Sequence, residues 1–370
     1  MSDNLRSRFV AAAPPAPVPE QRAAPPAPAE DRSRLRAPEP IVAAEGPEVA
    51  SDADVVRAGG SMAIATLISR ITGFLRNLLI AVTLGGAVGS AFNTANTLPN
   101  LITEIVLGAV LTSLVVPVLV RAEKEDADRG TAFFRRLFTL SASLLLVVTA
   151  LSLVAAPLLT RLMLDVDGEV NVIQSTSFAY LLLPQIFFYG IFALFMAVLN
   201  TRGIFKPGAW APVANNVVSI TVLLLYMLLP GELEETAPSG VVDPHVLLLG
   251  LGTTLGVIVQ AAIMVPYLRK AGVDLRPLWG IDDRLKQFGG MAVAIVAYVA
   301  VSQLGYVVTT RLASLADAAA PLIYQQHWLL LQVPYGIIGV TLLTAIMPRL
   351  SRNAADGDDR AVVADLNLAT

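Results

Sequence analysis

Cysteine is absent from the 370 residues, and with it go disulfides, thiolate metal sites and cysteine nucleophiles. Only two histidines are present, His245 and His327, far apart in the chain, so a histidine-rich metal centre has no material. Charge is scarce as well: 15% of residues are Asp, Glu, Lys or Arg, against about a quarter in soluble domains. Apolar residues make up 55% of the chain and the mean hydropathy is +0.65, so the missing charge points to lipid as the solvent. Also missing are a phosphate-binding glycine loop, an HExxH pair and a nucleophile–base constellation. Enzyme chemistry has no foothold here, no cofactor or metal is called for, and nothing points to a nucleic-acid partner.

What is present begins with a proline-rich block. Residues 1–57 hold few large apolar side chains, and AAAPPAPVPEQRAAPPAPAEDRSRLRAPEP is broken by proline every few positions. Such a segment cannot bury enough surface to offset the entropy of ordering, which predicts a disordered tail. The tail is either a docking segment for a cytosolic protein partner or a plain spacer. FVAAA is too short for the apolar core of a signal peptide and runs directly into Pro14 and Pro15.

From Gly59 onward, apolar stretches alternate with short polar loops. A helix needs about 20 residues to cross the hydrocarbon core, and the pattern predicts eight spans, at roughly 59–84, 89–120, 132–159, 172–199, 209–230, 245–268, 287–311 and 319–348. Backbone groups in lipid must be satisfied within the segment, so the fold class is an all-α, polytopic transmembrane bundle. One set of loops is rich in Lys and Arg (Arg121, Lys124, Arg129, Arg135, Arg136; Arg202, Lys206; Arg269, Lys270, Arg276, Arg284, Lys286; Arg349, Arg352). The alternate loops hold Arg161, none in GELEETAPSGVVDPH, and Arg311. The basic set therefore faces the cytosol, which puts the N-terminus there too. The last stretch, NAADGDDRAVVADLNLAT, reads like the start of another helix, so the chain is expected to be a truncated one.

The residues that do not belong in lipid are the candidate site. In SRITGFLRN of the first span, Ser69, Arg70, Gly73, Arg76, Asn77 and Thr66 fall in one sector about 120° wide on a helical wheel. Ile64, Leu67, Ile71, Phe74, Leu75 and Leu78 fill the other side. Charged residues inside a membrane mostly face a bundle interior or a watery cavity. Arginine suits an anionic ligand, because its permanently charged fork matches phosphate oxygens. The plainer reading is that one arginine snorkels to the interface and the other pairs with an acid. In the second span Ser90, Asn93, Thr97, Asn100 and Glu104 form a stripe about 80° wide, interrupted by Pro99, which is expected to kink the helix or free a carbonyl. Glu104 is the acid deep in a span and is a candidate to balance Arg70 or Arg76. Weaker faces follow: Tyr298, Ser302, Tyr306 and Thr309 in the seventh span, and Gln325, Trp328, Gln332 and Tyr335 in the eighth. Tyr and Gln at this spacing are more often packing residues than ligands, and His327 beside them reads as a core histidine. Gly252 and Gly256 in the sixth span mark close helix packing.

These segments resemble the MurJ/MviN flippase family. SRITGFLRN and AFNTANTLPNLITEIVLGAVLTSLVVP are similar to the family's opening helices, and LNTRGIFKPGAWAPVANN, GTTLGVIVQAAIMVPYLRKAG and QVPYGIIGVTLLTAIMPRLS fit later ones. The resemblance covers about 58–370, and the Ala/Pro-rich tail looks most like the branch found in high-GC Gram-positive bacteria. It implies a multi-pass protein of the bacterial inner membrane, built of two lobes that rock around a central cationic cavity. The implied substrate is lipid II, an undecaprenyl tail carrying a pyrophosphate and a disaccharide-peptide, and the energy source a membrane potential or ion gradient rather than ATP. On this resemblance, residues 58–270 make the first six-helix lobe and 271–370 the start of the second. The family's cavity arginines of the first helix match Arg70 and Arg76. Elsewhere the chain departs from the pattern: an acidic position aligns with Ser90, and two arginine positions align with Thr103 and about Leu329, beside Trp328. Two alternatives stay open, an exporter of drugs or of another lipid-linked polysaccharide, and a membrane scaffold for cell-wall synthesis acting through the tail.

Overall fold

The computed structural model describes residues 52–108, 116–126, 128, 130–280 and 289–334. The tail to Ser51, Arg129, Arg284, Lys286, Tyr335, Arg349, Arg352 and the 353–370 run lie outside the described residues, as does the side chain of Gln332. All regular elements among the described residues are helical, as the all-α expectation requires. They are α1 (Asp52–Thr103), a π-helical turn (Glu104–Gly108), α2 (Val116–Glu125), α3 (Thr131–Val154), α4 (Ala156–Met163), α5 (Val172–Leu182), α6 (Gln185–Thr201), α7 (Lys206–Tyr226), α8 (Pro244–Ala262), α9 (Met264–Lys270), α10 (Gly289–Ala316) and α11 (Ala320–Pro334).

Five stretches are long and apolar enough to cross a membrane, and the α5–α6 pair, bent by 44°, makes a sixth. The bend falls at Pro184, whose missing N–H interrupts the helical ladder. The first and second expected spans are continuous, as Ile64–Leu107, 44 residues. At 1.5 Å per residue that stretch is about 66 Å long, roughly twice the hydrocarbon core. Gly85, at φ 69° and ψ −173°, breaks it into two legs between the two expected spans, in a backbone region open to glycine. The eighth span is described for 15 residues of α11.

The wheel reading of the first leg holds for its apolar side: Ile64, Leu67, Ile71, Phe74, Leu75 and Leu78 are all exposed, as a lipid-facing stripe must be. Inside the bundle, association rests on close approach and polar contacts, because lipid tails are as apolar as leucine. Gly252 lies where a Cβ would meet Val222, and Gly256 where one would meet Asn215, so the small-residue pair lets α7 and α8 touch. Gln185 donates to Thr254 Oγ1 (3.1 Å), and Thr254 donates on to the Leu181 carbonyl (2.7 Å), tying α6, α8 and α5. Ser175 donates to the Ala91 carbonyl (3.0 Å) beside an edge-to-face Phe92–Phe178 pair, fixing α5 on α1. Asn171 and Asp243 cap α5 and α8 by accepting backbone N–H groups.

The extended segment after α9 is held against the ends of α3 and α6. Arg135 donates to the Arg276 carbonyl (2.9 Å), Thr139 accepts from Leu278 N–H (2.8 Å), and Arg202 donates to the Ala271 carbonyl.

Candidate functional site

The second leg of α1 carries its polar stripe inward. Ser90 and Asn93 are buried, and Thr97 donates to the Asn93 carbonyl at 2.8 Å. Pro99 lies inside the helix, Thr103 donates to its carbonyl (2.7 Å), and the winding changes to π at Glu104. Such turns concentrate at functional sites. From there Thr97, Asn100, Thr103 and Glu104 face a cavity of about 560 Å³. Its other walls are Tyr189, Phe192 and Ala193 on α6, Gln260 on α8, Gln303 and Tyr306 on α10, and Gln325 and Trp328 on α11. Glu104 is the charged side chain among the described lining residues.

Arg76 occupies a separate chamber of about 10 Å³, the room of a single water. Ile80, Phe92, Asn96, Ser219, Leu223 and Thr253 complete it. Arg76 Nε and Asn96 Oδ1 are buried there without a hydrogen-bond partner. A polar run leads from this chamber to the cavity: Asn215 Oδ1 accepts from Ser219 (3.4 Å), and Asn215 Nδ2 donates to Gln260 Oε1 (2.9 Å).

The remaining expected site residues divide. Asn100, Thr97, Glu104 and Gln325 meet at the cavity, whereas Arg70 is exposed on α1 and lines neither space. Ser69 and Gly73 serve packing: the Ser69 carbonyl accepts from Asn216 Nδ2 (3.1 Å), and a Cβ at Gly73 would touch that amide. The Asn77 carbonyl accepts from Gln326 (3.1 Å), joining α1 to α11. Three expectations are corrected. Glu104 forms no ion pair with Arg70 or Arg76 among the described residues, since Glu104 faces the cavity and Arg76 the chamber. On α10 the cavity face is Gln303 and Tyr306, while Tyr298 is 76% exposed and Ser302 and Thr309 donate to carbonyls of their own helix. His327 is exposed, not a core residue. Tyr189, Gln260 and Gln303 were missed, each a single polar residue in an apolar stretch and so without a stripe to mark it.

Before Thr97 in the chain of α1 and before Gln325 in that of α11, the two elements pack backbone-close. A Cβ on Gly86 would lie 2.5 Å from Ala319 Cβ, one on Gly89 would lie 2.9 Å from Leu322 Cδ2, and Ser90 Oγ accepts from Leu322 N–H (3.2 Å). At the end of α10, a few residues before Ala319, Arg311 pairs with Asp165 (2.8 Å), and Ser314 accepts from Asp165 N–H (3.1 Å) and Glu169 N–H (2.9 Å). The Asp167 backbone N–H and then the Arg311 guanidinium hold the Asp165 carboxyl below the usual carboxylate range.

The family model described as "Lipid II flippase MurJ" matches residues 80–370. Among relatives, a probable lipid II flippase MurJ of Vibrio cholerae is 29% identical over 323 residues, covering 84% of this chain and 59% of the relative. The Haemophilus influenzae counterpart is 27% identical over 302 residues, covering 78% and 56%. The lipid II flippase MurJ of Burkholderia cenocepacia is 27% identical over 309 residues, covering 79% and 56%. The chain thus spans little more than half the length of the relatives it matches. A solved structure titled "Lipid II flippase MurJ, inward closed conformation" superposes with a TM-score of 0.62 at 19% identity, covering 80% of this chain and 59% of that one, and shows the shared fold.

Proposed function

The chain belongs to the lipid II flippase MurJ family, and from that premise we propose that it moves lipid II across the bacterial inner membrane by alternating access. The carrying observation is the 560 Å³ cavity, into which Thr97, Asn100, Glu104, Gln260, Gln303 and Gln325 bring polar groups inside helices whose outer faces are apolar. A volume of that size lies in the range of single ligand sites, about 300–1,000 Å³, enough for the pyrophosphate and part of the sugar headgroup. Asn100, Thr97, Gln260, Gln303 and Gln325 supply neutral hydrogen-bond donors for sugar and phosphate oxygens. The positive charge that the pyrophosphate needs comes from Arg76 in the adjoining chamber, with Arg70 nearer the membrane surface as the second cation. The proposed lobes, 58–270 and 271–370, move against each other around this space, with the N-terminal tail on the cytosolic side.

Lipid II translocation into proteoliposomes, or labelling of lipid II outside intact cells, tests this reading. Arg76→Ala is expected to abolish translocation at an unchanged membrane level, and Arg76→Lys to restore it partly, since lysine keeps the charge but loses the fork. Full activity in Arg70→Ala/Arg76→Ala refutes the phosphate role.

A second reading has one observation in its favour. Glu104 stands in the cavity with the rings of Tyr189, Phe192, Tyr306 and Trp328, and an acid among aromatics suits an organic cation. Glu104-dependent efflux of ethidium, with lipid II left unmoved, would favour that exporter.

A further inference from the structure

The walls of the cavity match one part of a lipid II headgroup better than the other. Glu104 is the charged side chain among the described lining residues, so a phosphate entering here meets a negative charge and no positive one. The rest of the wall is neutral. Asn100, Gln260, Gln303 and Gln325 each bring a carboxamide, which donates and accepts hydrogen bonds. A sugar hydroxyl also does both, whereas a phosphate oxygen only accepts and leaves half of each amide unused. A carboxylate that repels phosphate can accept a hydrogen bond from a sugar hydroxyl.

Four rings share the wall: Tyr189, Phe192, Tyr306 and Trp328. Phe192 is buried and the two tyrosines are half-buried, but Trp328 is 55% exposed, so the indole is the ring with a face left to offer. Trp328 follows Gln325 by three residues on α11, which puts both on one side of the helix. Between them Gln326 donates to the Asn77 carbonyl of α1 (3.1 Å), which fixes this part of α11 in place. The side chains of Gln303, Gln325 and Trp328 make no hydrogen bond among the described residues, so their polar groups are available to a ligand. An indole face carries negative charge density, and the C–H bonds on one side of a pyranose ring present a slightly positive, apolar surface to it.

We propose that Trp328 is a specificity-determining residue that stacks on an N-acetylated amino-sugar ring, with Gln303 and Gln325 bonding the acetamido group and hydroxyls of that sugar. That the sugar belongs to a lipid II headgroup rests on the flippase reading; the stacking platform itself does not. The cavity thereby reads the sugar, and the arginines of α1 are left to the pyrophosphate.

The chain has three tryptophans, and the other two, Trp210 and Trp279, are exposed. Trp210→Phe/Trp279→Phe therefore makes Trp328 the single tryptophan of the full chain, and its emission reports the site. Diacetylchitobiose should shift that emission to the blue, saturably, as the sugar displaces water from the indole. Cellobiose, which has the same linkage but no acetamido groups, should need about ten-fold higher concentration. Gln303→Ala/Gln325→Ala should bring diacetylchitobiose down to the cellobiose level, and inorganic pyrophosphate should leave the emission unchanged. In proteoliposomes, Trp328→Ala should slow translocation of limiting lipid II about ten-fold at an unchanged protein level, and Trp328→Phe should slow it less. No shift with diacetylchitobiose, or an equal shift with pyrophosphate, overturns the proposal whether or not Trp328→Ala folds. A shift with tetraphenylphosphonium alone overturns it too, and gives the ring to an organic cation. A diacetylchitobiose shift in a chain that moves no lipid II keeps the sugar site and removes the flippase reading.

Discussion

If the close contact between Gly86 and Ala319 is what closes the cavity at that end, it offers a test whose size follows from the geometry. Gly86→Ala places two Cβ carbons 2.5 Å apart where α1 meets the start of α11, well inside the roughly 3.5–4.0 Å at which carbons attract. The walls must separate by about an ångström, and neither contacting atom can rotate away, because both are the first carbons of their side chains. Overpacking of this kind costs about 1–3 kcal/mol. If the penalty falls only on the conformation closed at this end, the population open there rises by about 5–150-fold. Gly89→Ala meets the end of a flexible leucine, Leu322 Cδ2 at 2.9 Å, and should have a smaller effect. The assay is modification of a single Thr97→Cys or Gln325→Cys by an impermeant thiol reagent added outside intact cells. Labelling should increase in the order parent, Gly89→Ala, Gly86→Ala. Adding Ala319→Gly to Gly86→Ala removes the opposing carbon and should return labelling to the parent level, which separates opening from general loosening. An unchanged rate in Gly86→Ala, or an increase that Ala319→Gly does not reverse, refutes this contact as the closing element.

Further expectations concern the same end and the topology. Asp165→Asn should raise Thr97→Cys labelling in the same assay, because the Arg311 pairing and the Ser314 contacts anchor the end of α10 that leads into Ala319. The Asp165 carboxyl titrates below its ordinary value of 3.8, so the closed form keeps this contribution at neutral pH and loses it only as the pH falls through that lowered value. Labelling should therefore be flat between about pH 7 and 5, and a rise within that window excludes Asp165 as the titrating group. A cysteine in the 231–243 loop should be modified from outside intact cells and one at Glu125 should not, as the loop charges require; equal modification inverts or dissolves that topology. Gly256→Leu should lower the amount of folded protein in the membrane, read by protease resistance, since the added side chain would displace Asn215; a normal level means α7 and α8 are less tightly packed there.

The membrane architecture was legible because lipid imposes one rule along the whole chain. Each span must be long, apolar and helical, so windows of hydropathy and proline or glycine breaks suffice, and Gly85 falls in the gap left between the first two spans. A helical wheel also named the outward apolar stripe of Ile64, Leu67, Ile71, Phe74, Leu75 and Leu78, although Thr66 and Arg70 of the polar sector are exposed as well. Its limit is that it names a face and not a neighbour. Ser69, Gly73, Arg76 and Asn77 share one sector, yet Ser69 and Gly73 meet α7, Asn77 meets α11, and Arg76 enters a chamber of its own. Periodicity likewise favoured Tyr298, Ser302 and Thr309 over Gln303, although Gln303 is the residue that shares the cavity wall with Tyr306.

Tyr189 marks where sequence reading stops for a physical reason. A stripe is visible when several polar residues on one helix face the same water-accessible space, as Thr97, Asn100 and Glu104 do. The rest of the cavity wall and the polar run beside it come instead from single residues on separate helices, Tyr189 of α6, Asn215 of α7, Gln260 of α8 and Gln303 of α10. Each is a lone polar group in an apolar run, no different in pattern from a helix-packing hydrogen bond. What separates them from packing residues is their place: Tyr189, Gln260 and Gln303 border the cavity, and the Gln260–Asn215–Ser219 hydrogen bonds run from it to the chamber where Arg76 Nε is buried without a partner. An unpaired donor of that kind is stable only if the surrounding polar groups hold it or if a ligand completes it. Among the described residues nothing holds Arg76 Nε in this conformation, and the neutral Asn96, Ser219 and Thr253 around it leave it open to an anion.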